Sequence, residues 1–303
     1  GGGRCNVLPI DARDPVEASF HTSGSQNVLK RLFKTWKLAE IQDFVRWELE
    51  VPLVEEDDNK LFPESGKAKD VRDALVREAE RCGASIVYDW RVTEIEKSDP
   101  NNSRKGFVLR SESGEELRAL KVILATGGES VPATGSDGFG YRLAKKLGHK
   151  LVPTYPALVP LTTTDEALTA LAGLSLPVAW RAVVEGKEVA RGERSFLFTH
   201  KGYSGPAVLD ASHYVIRDNA TIHIAWEAST RQEWIDYLQS RARRTVSRTV
   251  ADLLPNRLAA LLVERSGVRG EMRCGNLTRT TFDYLLEQLC DFRLPVSGNR
   301  GFA

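Results

Sequence analysis

The chain contains a single methionine, Met272, and begins with glycine. A natural translation product starts with methionine, so the sequence reads as processed, cut or incomplete at its start. Cysteine is also scarce: Cys5, Cys82, Cys274 and Cys290 stand far apart, with no C-x-x-C pair and no histidines at ligand spacing. That pattern argues against a zinc site or a disulfide scaffold and predicts reduced thiols with no bound metal. No apolar run approaches the roughly 20 residues a membrane helix needs, and no signal peptide opens the chain. A cytoplasmic protein with no membrane partner is the default expectation. An excess of charge is missing too. With 42 basic and 41 acidic residues the net charge is +1, which gives no global field of the kind expected for nucleic-acid binding. A small-molecule substrate and no nucleic-acid partner fit that balance better.

What is present is apolar material, 42% of 303 residues, enough for a full core in one or two domains. Val71, Ala74, Leu75, Ala79 and Cys82 recur at helical spacing and Gly83 follows, which predicts an amphipathic helix over 70–82. A short strand is expected at 84–88, then a meander of three strands at 92–96, 106–110 and 116–120. Val122-Ile123-Leu124-Ala125 is a continuous apolar run ending at Thr126-Gly127-Gly128. It reads as a strand buried on both faces and implies a parallel sheet. Phe139, Leu143, Ala144 and Leu147 predict a second helix, with Ser136 and Asp137 as caps and Gly148 at its end. From 151 to 227 the helix signal vanishes, and runs such as 179–185 and 221–226 suit a small barrel or sandwich. It returns over 230–292, where Trp234, Leu238, Val250, Leu254, Leu258, Leu262, Phe282, Leu285 and Leu289 fit two to four short helices broken near Pro255 and Gly267. Leu294-Pro295-Val296 starts a last extended run.

Chemistry is carried by a few short motifs. Gly1, Gly2 and Gly3 with Arg4, Cys5 and Asn6 can bring backbone N–H groups and a fixed cation to a phosphate. Glycine-rich ends are also commonly tag remnants, and on the glycines alone that reading is the better one. Thr126-Gly127-Gly128 follows an apolar run, where an open α/β sheet places its ligand; a plain turn explains the same glycines equally well. Gly135, Gly138 and Gly140 have the spacing G-x-x-G-x-G, which is not a Rossmann fingerprint. His200 stands in a glycine-rich stretch beside Ser204-Gly205-Pro206. A histidine there suits acid or base chemistry, although a structural turn is the better reading. His21 has a weaker case, as does His149, which falls at a helix C-terminus where cations are favoured anyway. Arg241, Arg243, Arg244 and Arg248 form a basic cluster flanked by Asp236 and Asp252, and a solvated helical face is its first reading.

Four ordered segments make a resemblance specific: 1–6; Leu61-Phe62-Pro63-Glu64-Ser65-Gly66-Lys67-Ala68; Leu124 to Gly128 with Pro132-Ala133-Thr134-Gly135 and 138–149; and Leu197-Phe198-Thr199-His200-Lys201-Gly202-Tyr203-Ser204-Gly205-Pro206. Together they resemble the signatures of the HI0933-like (BaiN/YhiN-type) flavoproteins over nearly the whole chain. The resemblance implies an α/β domain binding FAD, with NAD(P)H as electron partner, interrupted by an insert made of a β-barrel and a small helical subdomain. On this chain that places a partial FAD-binding domain at 1–150, the barrel at 151–228, the helical part at 229–293 and a return strand toward the FAD-binding domain at 294–303. It further implies that Gly1, Gly2, Gly3, Arg4, Cys5 and Asn6 lie near the pyrophosphate and flavin, that the Val92 backbone meets the adenine, and that Ala125, Thr126, Gly127 and Gly128 line the cofactor cleft. Val7-Leu8-Pro9 replaces the Thr-Asn of more typical members, which puts polar contacts there in doubt. Family members carry a G-x-G-x-x-G turn before the triple glycine and a glycine-rich flavin segment after the insert. Neither occurs in these 303 residues. The expected function is therefore an FAD-dependent oxidoreductase in the intact protein, with this chain alone inactive. The competing reading is a non-catalytic fragment whose insert is a binding or interaction module.

Overall fold

The computed structural model describes residues 3–11, 25–56, 59–98, 106–130, 132, 135–227 and 230–302. Gly1, Gly2, His21, Ala133 and Thr134, all named above, lie outside them. The chain forms two compact units, one of residues 1–124 and 141–153, the other of 125–140 and 154–303.

In the first unit, β1 (Leu8–Pro9) is followed by α1 (Gln26–Thr35), α2 (Leu38–Asp43) and a π-helical turn at Phe44–Glu48. β2 (Leu53–Glu56) and β3 (Lys60–Pro63) then make a three-stranded antiparallel sheet in the order β1-β3-β2. The first expected helix is α3 (Ala68–Arg81). Its Val71 and Ala74 bury against Val45, Leu49 and Val51, and Gly83 takes φ +83° just past its end, a conformation glycine adopts at little cost. β4 (Val92–Lys97), β5 (Phe107–Ser111) and β6 (Glu116–Ala119) form the expected meander. The second expected helix is α4 (Phe139–Lys146), where the Phe139 N–H donates to Asp137 Oδ1 at 3.0 Å.

Three expectations in this region are corrected. Residues 84–88 and 122–125 form no strand, and every strand pair among the described residues is antiparallel, so no parallel sheet stands there. Nor is 122–125 buried on both faces: Ile123 is 88% exposed. Apolar content favours burial only where another layer is available to bury against, and no described strand pairs with either segment. Leu120, Ile123, Val87 and Tyr88 are all largely exposed, and exposed apolar surface of this kind drives self-association. Gel filtration of the purified chain is therefore expected to show species larger than a monomer. Leu120→Lys with Ile123→Lys should move the material to the monomer position; an unchanged profile would remove these side chains from the cause.

The second unit runs through β7 (Leu161–Thr162), α5 (Glu166–Thr169), β8 (Ser175–Val184), β9 (Lys187–Thr199), β10 (Gly202–Ser204), α6 (Pro206–Asp218), β11 (Thr221–Trp226), four helices α7 (Arg231–Ser240), α8 (Val246–Ala251), α9 (Asn256–Arg265) and α10 (Arg279–Cys290), and then β12 (Phe292–Arg293) and β13 (Gly298–Asn299). The strands form one antiparallel sheet in the order β12-β11-β8-β9-β10-β7-β13. The expected β-barrel is therefore corrected to an open sheet. Its edges, β12 and β13, are two residues long and pair only inward, with β11 and β7, whereas a barrel needs its edges to pair with each other. Helix α6 falls where no helix is expected from the sequence. Its buried face is made of Ala207, Val208, Ala211, Ser212 and His213, without the large aliphatic residues that make periodicity visible. It packs on β8 and β9 through Trp180 and Tyr214, ring centroids 6.4 Å apart, and through Arg194 and Asp210 at 3.0 Å.

The core of this unit joins sheet and helices: Phe196, Phe198, Trp226, Trp234, Leu238, Leu258, Leu262, Leu285 and Leu289 are all at most 1% exposed. Asp165 ties its two ends. It caps α5 by accepting the Leu168 N–H at 3.3 Å and receives Arg265, the last residue of α9, at 2.6 and 2.7 Å. Burial opposes its charged form, but the hydrogen bonds from Arg265 and Leu168 outweigh that and hold its carboxyl below the ordinary carboxylate range. A depressed folded-state value contributes stability that is present above the unfolded value and lost as pH falls through the folded one. Asp165→Asn should therefore cost about 1–3 kcal/mol near neutrality, and the gap to the parent should close in acid. Urea melts at several pH values check this, and a gap independent of pH would contradict it.

Candidate functional site

The segment that opens the chain is fixed by β3 and by the N-terminus of α3. The Val7 N–H donates to the Leu61 carbonyl at 2.8 Å, and the Gly3 carbonyl accepts the Ala68 N–H at 2.7 Å, taking up one of the donors a helix start leaves free. Residues 3–6 of the first signature segment and the second segment, 61–68, are thus brought together. Gly3 has φ +76° and Cys5 φ +63°, so the backbone turns sharply here; the Cys5 side chain packs on the core of Val45, Leu49 and Val51. Arg4 is already engaged: its guanidinium pairs with Glu56 and lies 4.6 Å from the Phe62 ring centroid. Asn6 is exposed. Val92 opens β4 opposite Ser111, beside a register shift between Val92 and Glu94, the kind of bulge that re-aims a strand.

Ala125, Thr126, Gly127 and Gly128 belong to a separate construction in the second unit. The Gly128 carbonyl accepts the Gly138 N–H at 3.0 Å. A Cβ on Gly140 would lie 2.0 Å from Thr126 Oγ1, and one on Gly138 would lie 2.8 Å from Glu129 Cγ. Glu129 in turn accepts the Thr154 hydroxyl at 2.9 Å. The glycines at 138 and 140, which make no Rossmann fingerprint, therefore let the 126–129 turn sit directly on the residues that lead into α4. Gly127 has φ +74°. It is exposed, and neither its N–H nor that of Gly128 donates to another described residue. Two adjacent free donors on a backbone held in a glycine conformation are suited to an anionic or carbonyl oxygen.

The fourth signature segment is a hairpin running into a helix. His200 is exposed in the turn between β9 and β10. Gly202 pairs with Thr162 and Thr199, and its φ of +142° brings its Cβ position within 2.3 Å of the Leu161 carbonyl. Gly205, at φ +87°, precedes Pro206 at the first turn of α6. Tyr203 is fully buried, donates to the Pro295 carbonyl at 2.9 Å, and has its hydroxyl pushed up to about 12 by burial. Glycine and proline here secure the packing of β10 and α6, and the imidazole stands beyond them.

A cavity of about 450 Å³ opens on the sheet of the second unit, lined by Ala179, Arg181, Gly192, His223, Ala225 and Cys290 among others. Asp291 Oδ1 accepts Arg181 Nη2 at 2.6 Å and is 2.8 Å from His223 Nδ1. Burial pushes the Cys290 thiol up to about 11, so it is a thiol and not a nucleophilic thiolate at neutral pH. No sequence signal marks this group, because Arg181, His223 and Asp291 are isolated polar residues on elements that only the sheet register brings together. Among the described residues no group of three or more His, Cys, Asp or Glu side chains is placed to hold a metal ion, and no helix is long and apolar enough to cross a membrane.

Three relatives align over the whole chain. It is 29% identical to a ribosomal RNA dihydrouridine synthase of Haemophilus influenzae, covering 73% of that protein, and 27% identical to one of Escherichia coli, covering 72%. It is also 25% identical to a 3-dehydro-bile acid delta(4,6)-reductase of Clostridium scindens, covering 73%. The family model described as the HI0933-like protein Rossmann domain matches residues 1–281. With that match spanning nearly all of its length, the chain belongs to the HI0933-like family.

Proposed function

We propose that the protein is an FAD-dependent reductase that takes electrons from NAD(P)H and saturates a carbon–carbon double bond conjugated to a carbonyl. The observation that carries the cofactor part is the 126–128 turn, where Gly127 holds a positive φ and the Gly127 and Gly128 N–H groups donate to no described residue. These donors, with Ala125 and Thr126 beside them, are the ones we assign to FAD. Arg4 fits a phosphate partner less well, since Glu56 already neutralises it; Gly3, Cys5 and Asn6 keep the backbone role that family resemblance gives them, and Val92 its adenine contact. Bound FAD supplies the hydride chemistry, and the protein binds, orients and keeps water out. His200 is the candidate proton donor.

The kind of double bond follows from the relatives' names. Dihydrouridine is uridine with two hydrogens added across a ring C=C conjugated to a carbonyl, and a delta(4,6)-reductase of a 3-dehydro bile acid saturates a bond of the same electronic type. Hydride adds to the carbon remote from the carbonyl and a proton to its neighbour, so one NAD(P)H and one proton are consumed per bond. The protein expressed from its intact gene should reduce such a bond in the presence of FAD and NADPH or NADH. Flavin content without any nicotinamide-dependent reduction of a uridine-containing RNA or an enone steroid would defeat this reading and leave a binding module.

A further inference from the structure

The basic residues 241–248 look in the sequence like a solvated helical face. The fold adds to them a second run from elsewhere. Residues 269–275 lie antiparallel beside 242–247: the Val246 N–H donates to the Met272 carbonyl at 2.8 Å, Ser247 to Gly270 at 3.0 Å, Cys274 to Arg244 at 2.9 Å and Gly275 to Ala242 at 2.9 Å. Two glycines make this approach possible. A Cβ on Gly270 would lie 2.1 Å from Ser247 Oγ, and one on Gly275 would lie 3.1 Å from the Ala242 carbonyl oxygen. Behind them Val246, Val250 and Cys274 are buried. The paired segments therefore hold Arg241, Arg243, Arg244, Arg248, Arg269 and Arg273 in one place against a single carboxylate of their own, Glu271.

Two of the six arginines are already occupied. Arg241 stacks on the Tyr237 ring at 3.8 Å, and Arg244 pairs with Asp252 at 2.6 Å, which also accepts the Tyr237 hydroxyl at 3.1 Å. Arg243, Arg248, Arg269 and Arg273 are exposed and form no ion pair with any described residue. Like charges gathered in excess of their counter-charges oppose folding, yet four backbone bonds and two glycines impose the arrangement. That is the pattern of a phosphate-backbone contact, in which several arginines neutralise successive phosphates and an aromatic ring lies among them. The chain's near-zero net charge conceals the patch because the compensating acids lie elsewhere.

We propose that this arginine face docks an RNA strand. The choice of RNA over other polyanions rests on the reductase reading above, in which a uridine ring is one of the bonds reduced; the surface itself does not. The test is binding of a labelled uridine-rich oligoribonucleotide to the full chain by fluorescence anisotropy at several salt concentrations. Neutralising four phosphates on a single strand gives a slope of log K against log salt of about −3, which weakens binding about 50-fold between roughly 50 and 200 mM salt. Replacing Arg243, Arg248, Arg269 and Arg273 together by alanine should abolish that slope. The same four positions as lysine should preserve it, which separates charge from folding. Alanine at Arg118, Arg191 and Arg293, exposed elsewhere, should leave binding unchanged. The proposal is overturned if the four-alanine protein binds as tightly as the parent, if the parent shows no salt-dependent RNA binding, or if poly-glutamate of equal length binds as well as RNA. No flavin is measured, so failure here leaves the reductase reading standing, and a colourless protein that passes here leaves the docking face standing.

Discussion

Gly127→Val should strip the protein of most of its flavin. At φ +74° a β-branched side chain is held in a region that costs about 1–2 kcal/mol, and its Cβ would lie 2.9 Å from Ser136 Oγ. The serine hydroxyl can rotate away; the backbone cannot recover its angle without moving the Gly127 and Gly128 N–H groups. A loss of about 2 kcal/mol in cofactor binding is a factor of about 30. Gly140→Ala should act in the same direction from the other side of the turn, because its Cβ would lie 2.0 Å from Thr126 Oγ1 and 3.2 Å from Thr126 Cβ. Arg244→Ala, on the helical part of the second unit, should leave flavin content unchanged. The readout is bound flavin per protein after gel filtration of each variant expressed from the intact gene. Equal occupancy in Gly127→Val, Gly140→Ala and Arg244→Ala would return 126–128 to a turn with no ligand.

The largest stability effect should come from Trp226→Ala. Trp226 is fully buried, with ring centroids 5.7 Å from Phe196, 5.8 Å from Phe198 and 5.5 Å from Phe292, and its Nε1–H donates to the Gln288 carbonyl at 3.0 Å. It joins β11 to the end of α10, so its removal opens a cavity and leaves a carbonyl of the helix without its donor. Truncations of this kind cost about 3–5 kcal/mol. Trp226→Phe keeps most of the ring and loses the hydrogen bond, and should cost about 1–2 kcal/mol. Urea unfolding resolves the two. Similar losses for both variants would mean that the hydrogen bond, and not the volume, carries the effect.

These outcomes follow from features unequally visible in the sequence. Helices α3, α4 and α7 to α10 were legible because large apolar residues recur at their spacing, with glycine or proline at the breaks. The β4-β5-β6 meander was legible from its turn residues. Helix α6 was not, since two alanines, a serine, a histidine and a single valine make its buried face. Strand composition predicts a sheet at 151–228, but only edge pairing decides whether it closes into a barrel, and two-residue edges carry almost no signal. At 122–125 an apolar run predicts burial, but burial depends on a neighbour that the run itself does not specify. The site was legible in the same uneven way. Thr126, Gly127 and Gly128 stood out as a motif, while the role of Gly138 and Gly140 beneath them became clear only from the space their missing side chains leave. The arginine face was half visible, because residues 269–273 reach it by antiparallel pairing across more than twenty intervening residues.

We propose that the 126–128 turn belongs to a protein that binds FAD and accepts electrons from a nicotinamide. The most direct measurement is the visible spectrum of the protein purified from its intact gene, recorded without added flavin and then titrated anaerobically with NADPH and with NADH. The expected spectrum has the two absorbance bands of oxidised flavin at close to one flavin per chain, bleached by at least one of the two nicotinamides. A colourless protein that takes up no FAD, or a bound flavin that neither nicotinamide bleaches, would contradict it.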